Sequence, residues 1–391
     1  MSGPEVISLG CRLNLAESDR IRGMLGNSDE IVVINSCAVT AEAVRQTRQA
    51  IRRARRARPD ARLLVTGCAA EIERVQLAAM PEVDGLIANH AKLDPRAWNL
   101  PVEAPQVARS RTRAFIAVQN GCDHACTFCV IPQGRGPSRS LTIDQVLREV
   151  EAHLAQGAAE MVLTGVDVTS WGHDLPDKPP LGSLAAAILD RFPELMRLRM
   201  SSLDGIEVDE ELVELFASEQ RLMPHLHLSL QHGHDLILKR MKRRHLRHHA
   251  IDLVARLKRT RPDLAVGADL IAGFPTESEE HHRANLSIIR ELDIVHGHVF
   301  PYSPRPGTPA ARMPQLDPAT IRQRATELRE AVSDVRRAWI EAHVGLELSV
   351  LAEADGTGYA PDFARVAVPG GTPAGRIVRV RPTQIKEGLL V

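Results

Sequence analysis

The chain has no net charge, no apolar run of membrane length and no cysteine beyond residue 129. Its 49 basic and 49 acidic side chains cancel, so no global field announces a nucleic acid or a membrane, and charge has to be read locally. Without an apolar stretch of about 20 residues a spanning helix is excluded. The first residues lack a basic segment followed by an apolar core, so no export signal is expected and the location expected is cytoplasmic. No H-x3-H pair stands beside a carboxylate motif, so none of the 16 histidines is assigned as a metal ligand. What is present is a 391-residue chain, 44% hydrophobic, long enough for about two or three domains with a substantial core. In a cytosolic chain, six cysteines point to metal or catalysis rather than to disulfides.

Three of those cysteines lie in Gly121-Cys122-Asp123-His124-Ala125-Cys126-Thr127-Phe128-Cys129, a loop expected after an apolar strand from Phe115 to Gln119. Thiolates at C-x3-C-x2-C spacing suit three corners of an iron–sulfur cube, and no fourth cysteine follows to close it. An iron left without thiolate can bind a substrate, whereas a cluster that only carries electrons usually has four cysteine ligands. The alternative is a zinc knuckle that recruits His124 or a distant residue. The other three, Cys11, Cys37 and Cys68, each follow an expected strand: Val6 to Leu9, Ile31 to Ile34 and Leu63 to Thr66, with Gly85-Leu86-Ile87 as a fourth. Helical stretches between them, including Ala41 to Arg58, give the rhythm of an open parallel α/β sheet. The three cysteines then share one edge, beyond the carboxyl ends of the strands, where ligands bind. Three buried structural cysteines are the plain alternative.

From Phe115 to Tyr302 strands are expected at 115–119, 160–164, 197–200, 226–230, 265–271 and 295–300, most followed by helices. Six such units predict a partial (βα)6 barrel with active residues at the carboxyl strand ends. Thr142-Ile143-Asp144-Gln145 has the capping-box form, and Gly157 suits the end of that helix. The strand ends carry Thr164, Gly165 and Asp167, then Ser201 and Ser202, then Gln231, then Asp269, where apolar residues would be the default. Residues 92 to 112, with Pro95, Pro101 and Pro105, read as a linker. A long polar helix is expected over 318–342. Beyond Gly345 short alternating segments at 347–352, 364–368 and 376–380 predict a small β-barrel. The seven arginines between Arg45 and Arg58, and the basic run from Lys239 to His249, read as RNA-phosphate surfaces, against the alternative of solvated helix faces. Arg135 and Arg139 are expected to grip a carboxylate or a phosphate.

The C-x3-C-x2-C loop resembles that of the radical S-adenosylmethionine (SAM) enzymes. The segments Gly10-Cys11-Arg12-Leu13-Asn14, Asn35-Ser36-Cys37-Ala38-Val39-Thr40 and Thr66-Gly67-Cys68 resemble the N-terminal domain of the methylthiotransferases within that superfamily, and the tail resembles their RNA-binding TRAM domain. The resemblance implies a domain over 1–100 with an auxiliary four-iron four-sulfur (4Fe-4S) cluster on Cys11, Cys37 and Cys68. It implies a radical SAM core over 108–340 with a second 4Fe-4S cluster on Cys122, Cys126 and Cys129, and a TRAM-like β-barrel over 341–391. It further implies that SAM lies among Phe128, Ile131, Thr164, Gly165, Asp167, Ser201, Ser202, Gln231 and Asp269. Asn14, Asn35 and Thr40 are expected either to donate to cluster sulfides or to serve as caps and turns.

The same segments, with Ser201-Ser202-Leu203-Asp204, look most like the branch acting on N6-threonylcarbamoyladenosine at position 37 of transfer RNA. That branch adds a methylthio group at carbon 2, whose unactivated C–H bond yields to a carbon radical from reduced SAM and not to a side-chain base. The implied partners are the tRNA anticodon loop and a low-potential electron donor of flavodoxin or ferredoxin type, with the enzyme a monomer. Isopentenyladenosine in tRNA and a ribosomal-protein aspartate are alternative acceptors. A metal-stabilised RNA-binding protein without turnover is the rival of another class.

Overall fold

A computed structural model describes residues 4–26, 30–100 and 112–391. Strands β1 (Glu5–Ser8), β2 (Ile31–Ser36), β3 (Arg62–Gly67) and β4 (Gly85–Leu86) form a parallel sheet in the order β1-β2-β3-β4. Val32, Val33 and Ile34 are consecutive and all buried, as are Leu63, Leu64 and Val65. Such unbroken apolar runs are what a parallel strand covered on both faces requires. The helix Ala41–Ala57 buries Val44, Thr47, Ile51 and Ala54 at helical spacing, and the Thr40 hydroxyl caps it by accepting the Ala43 N–H at 3.1 Å.

The barrel begins with β5 (Arg113–Ala117). A short antiparallel pair, β6 (Gln119–Asn120) and β7 (Arg139–Ser140), brackets the cysteine loop. There follow β8 (Glu160–Thr164), β9 (Arg197–Met200), β10 (Ser202–Leu203), β11 (His225–Gln231), β12 (Ala265–Ala272) and β13 (Ile294–Pro301). Hydrogen bonds join β5-β8-β9 and β10-β11-β12-β13, every pair parallel. Only Ser201 separates β9 from β10, so the six expected strand positions are all occupied. The Thr142 capping box is formed at the start of the helix Ile143–Ala155, and the helix Pro318–Glu341 packs along β12 and β13.

The linker reading fails over residues 92–100. Lys92 is 1% exposed, Pro95–Trp98 forms a 3-10 turn, and the Trp98 indole donates to the Lys92 carbonyl at 2.9 Å. Pro95 opens that turn, where its missing N–H costs nothing, and Trp98 joins Val6, Ile21 and Leu64 in the core. Pro101 and Pro105 lie outside the described residues.

The tail forms a six-stranded sheet over Leu348–Ala352, Thr357–Tyr359, Arg365–Ala367, Ile377–Val380, Ile385–Lys386 and Leu389–Leu390. Its core holds Val350, Ala360, Val366 and Leu390, with Ile340 from the long helix. It docks on β9, where Arg197 donates to the Ser349 carbonyl at 2.7 Å and Arg199 to the Pro361 carbonyl at 2.9 Å. No helix among the described residues is long and apolar enough to cross a membrane.

Candidate active site

The parallel order of the first sheet sets its three cysteines on one edge. Cys11 is the N-cap of the helix Arg12–Leu25, Cys37 directly follows β2, and Cys68 opens the helix Cys68–Ile72 after β3. Gly10 allows the approach: at φ +91° it lies so close that a Cβ there would fall 2.6 Å from the Cys37 Cβ. Burial pushes the Cys37 thiol up to about 11, and the neighbouring sulfurs of Cys68 and Cys11 add to the effect. The three are thus electrostatic neighbours, and all are free thiols.

In the second loop burial pushes Cys122 up to about 12 and Cys129 up to about 11, with the other cysteines of that loop contributing. Backbone amides already point at the sulfurs, His124 N–H to Cys122 Sγ and Ile131 N–H to Cys129 Sγ, both at 3.4 Å. The Arg243 guanidinium lies 3.6 Å from Cys126 Sγ. The two trios face each other. Cys68 bears on the Cys129 thiol, and a Cβ on Gly134 would lie 3.3 Å from the Cys68 Cβ. The Asn89 amide bridges them, 2.5 Å from the Gly134 carbonyl and 4.0 Å from Cys68 Sγ.

This donor set fits iron–sulfur clusters. Each trio is free, with N–H groups or a cation aimed at the sulfurs of the later one, the features that stabilise cluster sulfur. The buried thiols of Cys37, Cys122 and Cys129 stay protonated at neutral pH unless a metal displaces the proton. The zinc alternative has its best case in Cys122, His124 and Asp167, whose donor atoms lie within 4.8 Å of one another. However, His124 Nε2 is taken by Asp167 Oδ2 at 2.6 Å. Hydrogen bonds to Asp167 and Glu207 push the imidazole up to about 10, and a protonated ring offers no lone pair to a metal.

The strand-end residues fall into separate groups. Thr164 ends β8 and Gly165 packs on Gln119, while Asp167 sits beside Cys122, whose sulfur is 3.9 Å from Asp167 Oδ2. Gln119 fixes this turn: its Oε1 accepts the N–H groups of Val166 and Asp167 at 3.0 and 2.9 Å. Ser201 is buried and its N–H bonds the Leu163 carbonyl, while Ser202 begins β10. Phe128 meets Phe274 edge-on at 6.5 Å in an apolar cluster with Ile271 and Tyr302, and Ile131 is half-buried at the start of the helix Ile131–Arg135. Gln231 takes φ +68° where the β11 register shifts. Asp269 lies inside the barrel between His227 Nε2 and His298 Nδ1, each at 3.1 Å. Burial opposes its charge, but the two imidazoles hold it well below the usual carboxylate range.

Several expectations are corrected. Arg135 grips neither substrate nor cofactor: it is buried against Glu17 at 2.8 Å and Asn14 at 2.5 Å. Arg139 turns back onto the Arg135 carbonyl. Asn14 and Asn35 bond backbone and the Ser18 hydroxyl and Thr40 is a cap, the structural one of the two roles expected of them. Much of the basic helix is neutralised, with Arg45 on Glu42, Arg48 on Glu73 and Arg55 on Asp84. The run from Lys239 to His249 is no single exposed face either. Arg243 reaches Asp204, Arg244 reaches Glu207, and Arg247 reaches Glu291. Sequence reasoning missed Gln119, Arg243, His227 and His298. For the two histidines a signal existed, since each stands two residues after another histidine, His225 or His296, on the same face of its strand.

Two family models match the chain: the radical SAM superfamily over residues 116–287 and an uncharacterised protein family, UPF0004, over residues 5–88. A radical SAM methyltransferase from Kitasatospora setae, solved with tryptophan and a SAM analogue, superposes with a TM-score of 0.53 at 16% identity, covering 78% of each chain. Fold and cysteine loop thus define a radical SAM enzyme. A threonylcarbamoyladenosine tRNA methylthiotransferase from Rickettsia prowazekii is 40% identical over 99% of this chain and 96% of its own. One from Aquifex aeolicus is 32% identical over 95% and 98%. A tRNA-2-methylthio-N(6)-dimethylallyladenosine synthase from Parafrankia is 31% identical over 99% and 85%. The chain belongs to the radical SAM tRNA methylthiotransferases, and its cofactors are SAM and 4Fe-4S clusters.

Proposed function

We propose that this enzyme inserts a methylthio group at carbon 2 of N6-threonylcarbamoyladenosine at position 37 of tRNA, in the anticodon loop. In this reading residues 1–100 hold the auxiliary cluster on Cys11, Cys37 and Cys68. Residues 108–340 hold the radical cluster on Cys122, Cys126 and Cys129, and residues 341–391 are an RNA-binding tail. A flavodoxin- or ferredoxin-type donor supplies electrons to a cytoplasmic monomer.

The observation that carries the reading is the approach of Cys68 to Cys129 across the Gly134 contact. In this reading that approach puts both trios within reach of one nucleotide. When bound, the clusters and SAM supply hydrogen-atom abstraction and the sulfur. The chain supplies placement. Gln119 locks the 165–167 turn beside Cys122, Arg243 sets a positive charge beside Cys126, and Asp269 is kept ionised by His227 and His298. For the acceptor, the support is that the Rickettsia and Aquifex relatives are named for threonylcarbamoyladenosine. Nucleoside analysis of tRNA from a deletion strain tests this. The methylthio form of threonylcarbamoyladenosine should vanish and reappear on complementation. Its persistence alongside loss of the methylthio dimethylallyl nucleoside would contradict the assignment.

A further inference from the structure

Arg12 directly follows the proposed ligand Cys11 and opens a helix that packs along β5, beside the barrel. Its guanidinium lies 5.7 Å from the ring of Phe363, which the tail inserts at the amino ends of the barrel strands. Arg199 and Arg113 stand over the same ring at 4.1 and 5.4 Å. Every other charge that bears on Arg12 already has a partner. Glu160 is bonded by Arg199 at 3.0 Å, Arg113 also pairs with Glu353, and Asp269 is held by two histidines. Arg12 alone in this group forms no hydrogen bond or ion pair among the described residues. Arg12 is therefore the one guanidinium of this recess with no acid bonded to it among the described residues. A recessed guanidinium without an anion is unfavourable, and a ligand that brings the anion removes the penalty.

We infer that Arg12 receives the carboxylate of the acceptor's N6 substituent, and so sets which adenosine the enzyme modifies. The inference rests on the proposed function and adds to it a residue that reads the acceptor. A threonylcarbamoyl group ends in a carboxylate, which a guanidinium fork binds in a bidentate manner. A dimethylallyl group carries no charge and would leave Arg12 unpaired. The methionine carboxylate of SAM is the other carboxylate in the reaction, but it belongs with Cys122, Cys126 and Cys129 at the carboxyl strand ends; the acceptor base meets that same mouth, and its N6 substituent extends from there into the barrel toward Arg12. Around Arg12, Arg113 and Glu160 open their strands, while Arg199 and Asp269 lie past the midpoints of theirs, which sets the guanidinium among residues of the barrel and away from the cysteine loop.

The test uses anaerobically reconstituted holoenzyme and synthetic anticodon stem-loops bearing threonylcarbamoyladenosine or its carboxamide analogue. Binding is read by fluorescence anisotropy and turnover as kcat/KM. Wild type should prefer the carboxylate by about 10- to 100-fold. Arg12→Gln should bring that preference close to unity by weakening the carboxylate RNA, with SAM affinity unchanged, and Arg12→Lys should retain part of it. An unchanged preference in Arg12→Gln overturns the assignment, as does an equal loss of SAM binding. A wild type that takes both stem-loops equally overturns it while leaving the proposed function standing. A wild type active only on a dimethylallyladenosine stem-loop overturns both.

Discussion

At Gly10 an added methyl group would meet the Cys37 Cβ at 2.6 Å and its sulfur at 2.7 Å, on a backbone already at φ +91°. Gly10→Ala therefore has to displace Cys37 or the turn bearing Cys11. The later loop is untouched. The variant should bind about four irons per chain instead of about eight, and still cleave SAM on reduction while making no methylthio product. A full iron complement in anaerobically reconstituted Gly10→Ala would separate Cys37 from the auxiliary site. Residues of this kind were half legible in the sequence. A glycine before a cysteine at a strand end signals close approach, but nothing in the sequence says which atom is approached. Gln119 left no signal at all, because its two amide partners lie 47 and 48 residues downstream.

Three segments meet at Glu17: the helix Arg12–Leu25, the turn region of Lys92, and the helix Ile131–Arg135 that follows the cysteine loop. Lys92 Nζ lies 2.5 Å from Glu17 Oε2 and Arg135 2.8 Å from Glu17 Oε1, with Glu17 and Lys92 each 1% exposed. This buried triad ties the sheet that carries one trio to the loop that carries the other. Burial alone would raise the Glu17 pKa, but Lys92 and Arg135 outweigh it and leave it lowered. Glu17→Gln should destabilise the apo protein by roughly 3–5 kcal/mol, since it leaves two buried cations unpaired. A carboxylate with a depressed folded pKa stabilises above its unfolded pKa and loses that contribution as pH falls through the folded one. Urea titrations should therefore show the wild-type advantage at pH 7 and its decline below about pH 4.5. An advantage below about 1 kcal/mol at pH 7 would argue against the triad. Elements were legible where one local signal dominated: unbroken Val, Leu and Ile runs gave the parallel strands, and a capping box gave a helix start. The basic helix was misread because Glu73 and Asp84, which neutralise Arg48 and Arg55, are 25 and 29 residues away. Residues 92–100 are no linker because Lys92 and Trp98 are buried by partners in distant segments, Glu17 and Val6 among them, which the prolines do not signal.

The molecule as a whole sets two ligand-bearing edges against each other. The carboxyl edge of the first sheet meets the carboxyl mouth of the barrel, and the tail seals the opposite end through Arg197, Arg199 and Phe363. Strand rhythm and cysteine spacing foretold both edges, because parallel sheets leave their strand ends open to ligands. Their relative placement was not legible. It depends on side-chain contacts between distant segments, such as Asn89 with Gly134 and Glu17 with Arg135. The most direct measurement of that placement is the EPR spectrum of reduced, anaerobically reconstituted enzyme, compared with two triple variants. One has alanine at Cys11, Cys37 and Cys68, the other at Cys122, Cys126 and Cys129. Two facing clusters predict a wild-type spectrum broadened by spin–spin interaction and absent from either variant. A wild-type spectrum equal to the sum of the two variants would contradict the account.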